Sequence, residues 1–212
     1  MKSKLLLCAV GFASFLFTEK AQSQSLTVQF IEINPSVPVN GSVNGSTFMD
    51  YPSGVALFSE FQAFCVEPLQ DLSYGETVTY EIQDVSSLAN SVIIAKLIGA
   101  YLSSGQTAED AAAVQWAIWE IVAETSGTRS HDNGNVIISP GDATVNPHGP
   151  TIAALGNQYL ADAATDKFSP VTLTFLHSDT RQDVVTWQVV PEPTTAGLAA
   201  LSMLVMFRRR RR

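Results

Sequence analysis

The chain has 212 residues, 46% hydrophobic and only 15% charged, long and apolar enough for a domain with a real core and too apolar for a disordered chain. Its net charge of −8 argues against nucleic acid as a partner, because that affinity rests on Lys and Arg contacts to phosphate. Two cysteines are too few for a disulfide scaffold or a Cys-rich zinc site.

The charge is unevenly distributed. Lys2, Lys4 and Lys20 against Glu19 give residues 1–23 a net +2. Residues 191–212 carry +4, from five arginines against Glu192. The body between them, residues 24–190, carries −14, with Lys96, Arg129, Lys167 and Arg181 against 18 acids.

Residues 1–23 read as a signal peptide. A basic start precedes the apolar run Leu5–Phe17, and Ala21 and Ser23 are small residues at the positions a signal peptidase reads. An uncleaved N-terminal anchor is the alternative, and 13 apolar residues are few for a span. Cys8 leaves with the signal, so Cys65 is the single thiol of the mature chain. It must be a small buried hydrophobe, pair between chains, or be used chemically.

In the body, Leu26, Val28 and Phe30 alternate with polar residues and predict a strand. Pro35, Pro38, Asn40-Gly41 and Asn44-Gly45 predict turns after it. Leu57–Val66 is an apolar segment, and Thr77–Ile82 alternates as a further strand. Ser86–Leu102 has helical periodicity. A second helix is predicted from the N-cap Thr107, with Asp110 in the capping-box position, to about Glu124. Residues 127–150 form a polar loop with a short hairpin around Val136–Ile138, and Thr151–Ala164 is a third helix. Val171–Phe175 and Val184–Val190 close the body as a hairpin. The expected class is α+β: a β-sandwich or small barrel-like sheet with an inserted three-helix subdomain, plus an N-terminal signal helix and a C-terminal transmembrane helix.

The tail has three parts in order. Pro191-Glu192-Pro193 comes first, then Thr194–Phe207 without a charge, then Arg208, Arg209, Arg210, Arg211 and Arg212. An apolar segment ending in a basic block stops translocation with the arginines on the cytoplasmic side, although 14 residues are short against the ~20 of a stable span. An ordinary tail anchor explains the apolar run and the arginines, but not the prolines. The order resembles the PEP-CTERM sorting signal of exported bacterial proteins, in which an intramembrane exosortase recognises Pro-Glu-Pro and removes the tail. The resemblance implies passage through the inner membrane and a final place at the cell surface or in the extracellular matrix of a bacterium with an outer membrane.

Gln115 is the polar exception on its helix. Ala111, Ile118, Trp119 and Val122 share its face, and an unpartnered buried amide costs roughly 1–3 kcal/mol. A core glutamine bonded to a loop backbone is one account. Taken with Cys65 there is another. Phe64-Cys65-Val66-Glu67 and Val114-Gln115-Trp116-Ala117-Ile118-Trp119 resemble the Cys and Gln motifs of bacterial surface thioester domains. This chain has Val114 where many members have Thr. The resemblance implies a Cys65–Gln115 internal thioester formed with loss of ammonia, and a covalent bond to a target amine on a protein lysine or a polyamine. Such chemistry is a single reaction rather than enzymatic turnover, and it requires no cofactor or metal. A thioester must be kept from water, and Phe64, Val66, Trp116, Ile118 and Trp119 are the expected pocket.

A non-covalent matrix-binding module and a Cys–His hydrolase are the competing readings. The second would need His131, His148 or His177, all expected at the surface. They lack the spacing of metal ligands, and Asp132-Asn133-Gly134 reads as a turn rather than a calcium loop.

Overall fold

The alternation beginning at Leu26 belongs to a strand much longer than the turn residues suggest. In the computed structural model, which describes residues 24–124, 127, 129–139, 146–165 and 167–188, β1 runs from Ser25 to Val43 straight through Pro35, Pro38 and Asn40-Gly41. Only Asn44-Gly45 turns, both residues having positive φ, the requirement of a two-residue hairpin. Pro38 stands in register opposite Pro52 of the partner strand β2 (Ser46–Phe58), and Pro35 and Asn40-Gly41 fall at register shifts between β1 and β2. Bulges of that kind accommodate residues that cannot donate to a regular ladder.

Leu57–Val66 is divided. It holds the end of β2, a reversal, and β3 (Gln62–Cys65). β4 (Thr77–Gln83) follows as expected. Asp84 then caps a 3-10 turn at Val85–Ser87, and Asn90 has φ 58°, so α1 begins only at Ser91 and ends at Ser103. α2 (Ala108–Ala123) starts with the expected box: the Thr107 hydroxyl accepts from the Asp110 N–H and the Asp110 carboxylate accepts from the Thr107 N–H. Val136–Ile138 is not a hairpin. It is β5, which pairs with Gly41–Val43 of β1. α3 (Gly149–Ala164), β6 (Thr172–His177) and β7 (Val184–Gln188) complete the order.

Among the described residues the class is α+β, a seven-stranded antiparallel sheet with three α-helices set between β4 and β6 in sequence. β1 pairs with β4, β4 with β6, β6 with β7, β7 with β3, β3 with β2, and β2 again with β1. The pairings therefore return to their starting strand. α2 packs against α1, α3, β1, β2, β3 and β5. Consequently Asp110–Ile121 is buried without a break, rather than along one face, and Asp110, Gln115 and Glu120 all need internal partners. The signal helix and the transmembrane helix of the tail lie outside the described residues. Among the described residues no helix is long and apolar enough to cross a membrane.

Candidate functional site

β3 brings Cys65 to the middle of the sheet. Ala63, Phe64 and Cys65 pair with Thr186, Val185 and Val184 of β7. On its other side β3 pairs with β2 only through Gln62 and Ala63, so the edge is open at Cys65. Gln115 fills it. The Cys65 N–H donates to Gln115 Oε1 at 2.9 Å, and Gln115 Nε2 donates to the Cys65 carbonyl at 2.8 Å. The amide acts as one residue of a missing strand, and Gln115, 2% exposed, has both of its polar atoms paired with the Cys65 backbone.

The thiol has a different partner. Cys65 Sγ donates to Gln182 Oε1 at 2.9 Å. With a C=O bond of about 1.23 Å, the carboxamide carbon is at most about 4.1 Å from sulfur. Gln182 lies between β6 and β7, is 2% exposed, and accepts from the Tyr80 hydroxyl at its own carbonyl. The segment around it is braced. Asp183 accepts from the Ser178 N–H at 2.8 Å and bonds His177 Nδ1 at 2.9 Å, and Arg181 pairs with Glu76. The Asp183 hydrogen bond holds the His177 imidazole above its ordinary pKa. Gln182 Nε2 faces Tyr51 but is buried without a well-formed hydrogen bond.

Burial pushes the Cys65 thiol up to about 12, because a thiolate is poorly solvated there. Burial also pushes the Tyr51 and Tyr80 hydroxyls well up. All three hold their protons at neutral pH. Cys65 and Gln182 line a cavity of about 290 Å³, together with Phe30, Ile33, Tyr51, Pro52, Ala56, Asp71, Leu72, Ser73 and Tyr74. Cys65 is 5% exposed and Tyr74 64%, so the thiol lies at the floor and the loop from Asp71 to Tyr74 at the mouth.

The residues expected to enclose the thiol are all buried, but none lines this cavity. Strand alternation turns Phe64 away from the side of Cys65, and Phe64 packs on Tyr101 and Trp187; Val66 follows the end of β3 with its N–H on the Asp183 carbonyl. Trp116 donates from Nε1 to Ser53 Oγ at 2.9 Å, Trp119 packs on Phe48 and Tyr51, and Ile118 is core.

None of the three histidines lines the cavity either. His131 corrects its expected surface position, being 0% exposed. Its segment is folded against α2 and α3, with the His131 N–H on Asn157 Oδ1 and the Ser130 N–H on Glu120 Oε1. Gly156 makes room for the ring, since a Cβ there would sit 2.5 Å from His131 Cδ2.

Sequence reasoning missed Gln182, Tyr51 and Asp71. Gln182 falls among charged residues in Arg181-Gln182-Asp183, a composition that reads as a solvated turn. Only the return of β7 alongside β3 buries it. No protein-family model, curated protein or solved structure matches this chain.

Proposed function

We propose that the body is an exported domain with an internal thioester on Cys65, used once to capture an amine covalently. The observation that carries this reading is the 2.9 Å approach of the Cys65 thiol to the Gln182 carboxamide at the floor of a cavity. That geometry favours Gln182 over Gln115 as the acyl donor, with Gln115 holding the Cys65 backbone in place.

In the reaction Cys65 Sγ attacks the Gln182 carbonyl carbon. The S–C bond forms, the C–N bond breaks, and the thiol proton leaves with ammonia. The burial that keeps the thiol protonated also excludes water, as a stored thioester requires. Preorganisation of the two groups supplies effective concentration. The closed cycle of strand pairings supports the barrel-like form of the sheet and holds β3 and β7 in register.

Export by a signal peptidase, sorting by an exosortase at Pro191-Glu192-Pro193, and a surface or matrix destination rest on the motifs of the two ends. Intact mass tests the chemistry. The purified protein is expected about 17 Da light, one ammonia, with methylamine adding to it. Cys65→Ala and Gln182→Ala should each restore the full mass. A light Gln182→Ala protein beside a full-mass Gln115→Ala protein would return the acyl donor to Gln115. Full mass in the unaltered protein would leave a non-covalent matrix module with a buried, hydrogen-bonded thiol.

A further inference from the structure

The cavity is graded from mouth to floor. Asp71 stands at the exposed end and, among the described residues, is the only charged one of the lining. Beside it Tyr74 is stacked on Phe30, centroids 5.5 Å apart and planes 15° apart, so a mostly exposed aromatic ring borders the entrance. Ile33, Pro52 and Leu72 give the walls apolar surface, and Cys65 and Gln182 form the buried floor. A carboxylate and an aromatic face attract an ammonium. Apolar walls accept methylenes and reject charge. The floor therefore suits an uncharged amine, while a positive charge is best left at the mouth.

We infer that the cavity selects α,ω-alkyl diamines and polyamines, with one ammonium held by Asp71 and Tyr74 at the mouth, the methylene chain along the apolar walls, and the far amine delivered uncharged to the acyl group. The inference rests on the thioester reading and names its substrate class. In the step, the amine nitrogen bonds to the Gln182-derived carbonyl carbon, the C–S bond breaks, and the amine proton passes to sulfur to restore the Cys65 thiol. Asp71 is a specificity residue in this scheme and takes no part in the bond changes.

The test measures thiol release and mass gain with 1,5-diaminopentane and with pentylamine, at about pH 8, where alkylamines of lysine-like pKa are charged. Each rate is divided by that for hydroxylamine, which is uncharged there and reads the intact thioester in every variant. The unaltered protein is expected to prefer the diamine by about two- to fivefold beyond the statistical factor for two amines, the worth of a partly exposed ion pair. The preference should disappear in Asp71→Asn, shrink in Tyr74→Ala, and fall with added salt. A preference unchanged in Asp71→Asn, or no preference in a protein that carries the ~17 Da loss, overturns the inference and leaves the thioester standing. Absence of the mass loss removes the thioester and this substrate class together.

Discussion

The two glutamines near Cys65 separate by what each holds. Gln115→Ala leaves the buried N–H and C=O of Cys65 without partners, so it should lower unfolding stability by about 2–4 kcal/mol in urea titration. Gln182→Ala removes one thiol hydrogen bond and a donor without a well-formed bond, and should cost less than about 1 kcal/mol; on the proposed chemistry it would also abolish the mass loss. Equal destabilisation by the two changes would contradict this division. Gln115 was legible in the sequence because an amide inside an apolar helical pattern demands an internal partner. The partner residue, Cys65, was legible too, and the hydrogen bonds to its backbone were not. Gln182 was not legible, because nothing local distinguishes a buried glutamine from a solvated one in a charged turn.

α2 and β1 show the same limit for larger pieces. The Thr107 cap and the end near Glu124 are local chemistry, and the helix has those ends. Its burial on every side is set by six neighbouring elements, which no periodicity within the helix encodes. In β1 the turn formers misled because bulges and a sheet partner tolerate residues that would end an isolated strand. Gly41 is the clearest case. It sits in β1 not as a turn but because Trp116 of α2 crosses it, so a Cβ would lie 2.4 Å from that ring and 2.5 Å from the Ile137 carbonyl oxygen. Gly41→Ala should therefore push α2 or β5 off β1 and cost about 1–3 kcal/mol, seen as a lower melting temperature.

Across the whole molecule, two buried groups outside the cavity set an opposing pH response. Burial lowers the His131 imidazole to about 4, so its contribution is complete above its ordinary value near 6.5 and is lost as pH falls from there through 4. Burial first, with Glu124 adding, raises the Glu120 carboxyl to about 7 despite the Ser130 N–H and Arg129. Its contribution is complete below 4.5 and is lost as pH rises through 7. Between 4.5 and 6.5 the two trends oppose, and a shallow profile is expected. Glu120→Gln should expose the His131 limb as a stability rise on the order of 3 kcal/mol from pH 4 to 6.5, measured by urea unfolding across that range. A flat profile in that variant would count against a neutral buried His131. The body's −14 was legible from composition, and so was the division of the chain into ends and body. The class was legible from the order of elements, whereas the return of the pairings to β1 depends on contacts far apart in sequence.

The position of Gln182 also has a mechanical consequence. It lies just ahead of β7, which is paired to β3 on one side and β6 on the other, and the chain continues from β7 into the tail. Tension between a partner held at Gln182 and an attachment beyond Gln188 would run along the β7 backbone alone. The helices and β1 would stand outside that load path. A bond at Gln115 would instead draw the pull through α2 and the rest of the fold.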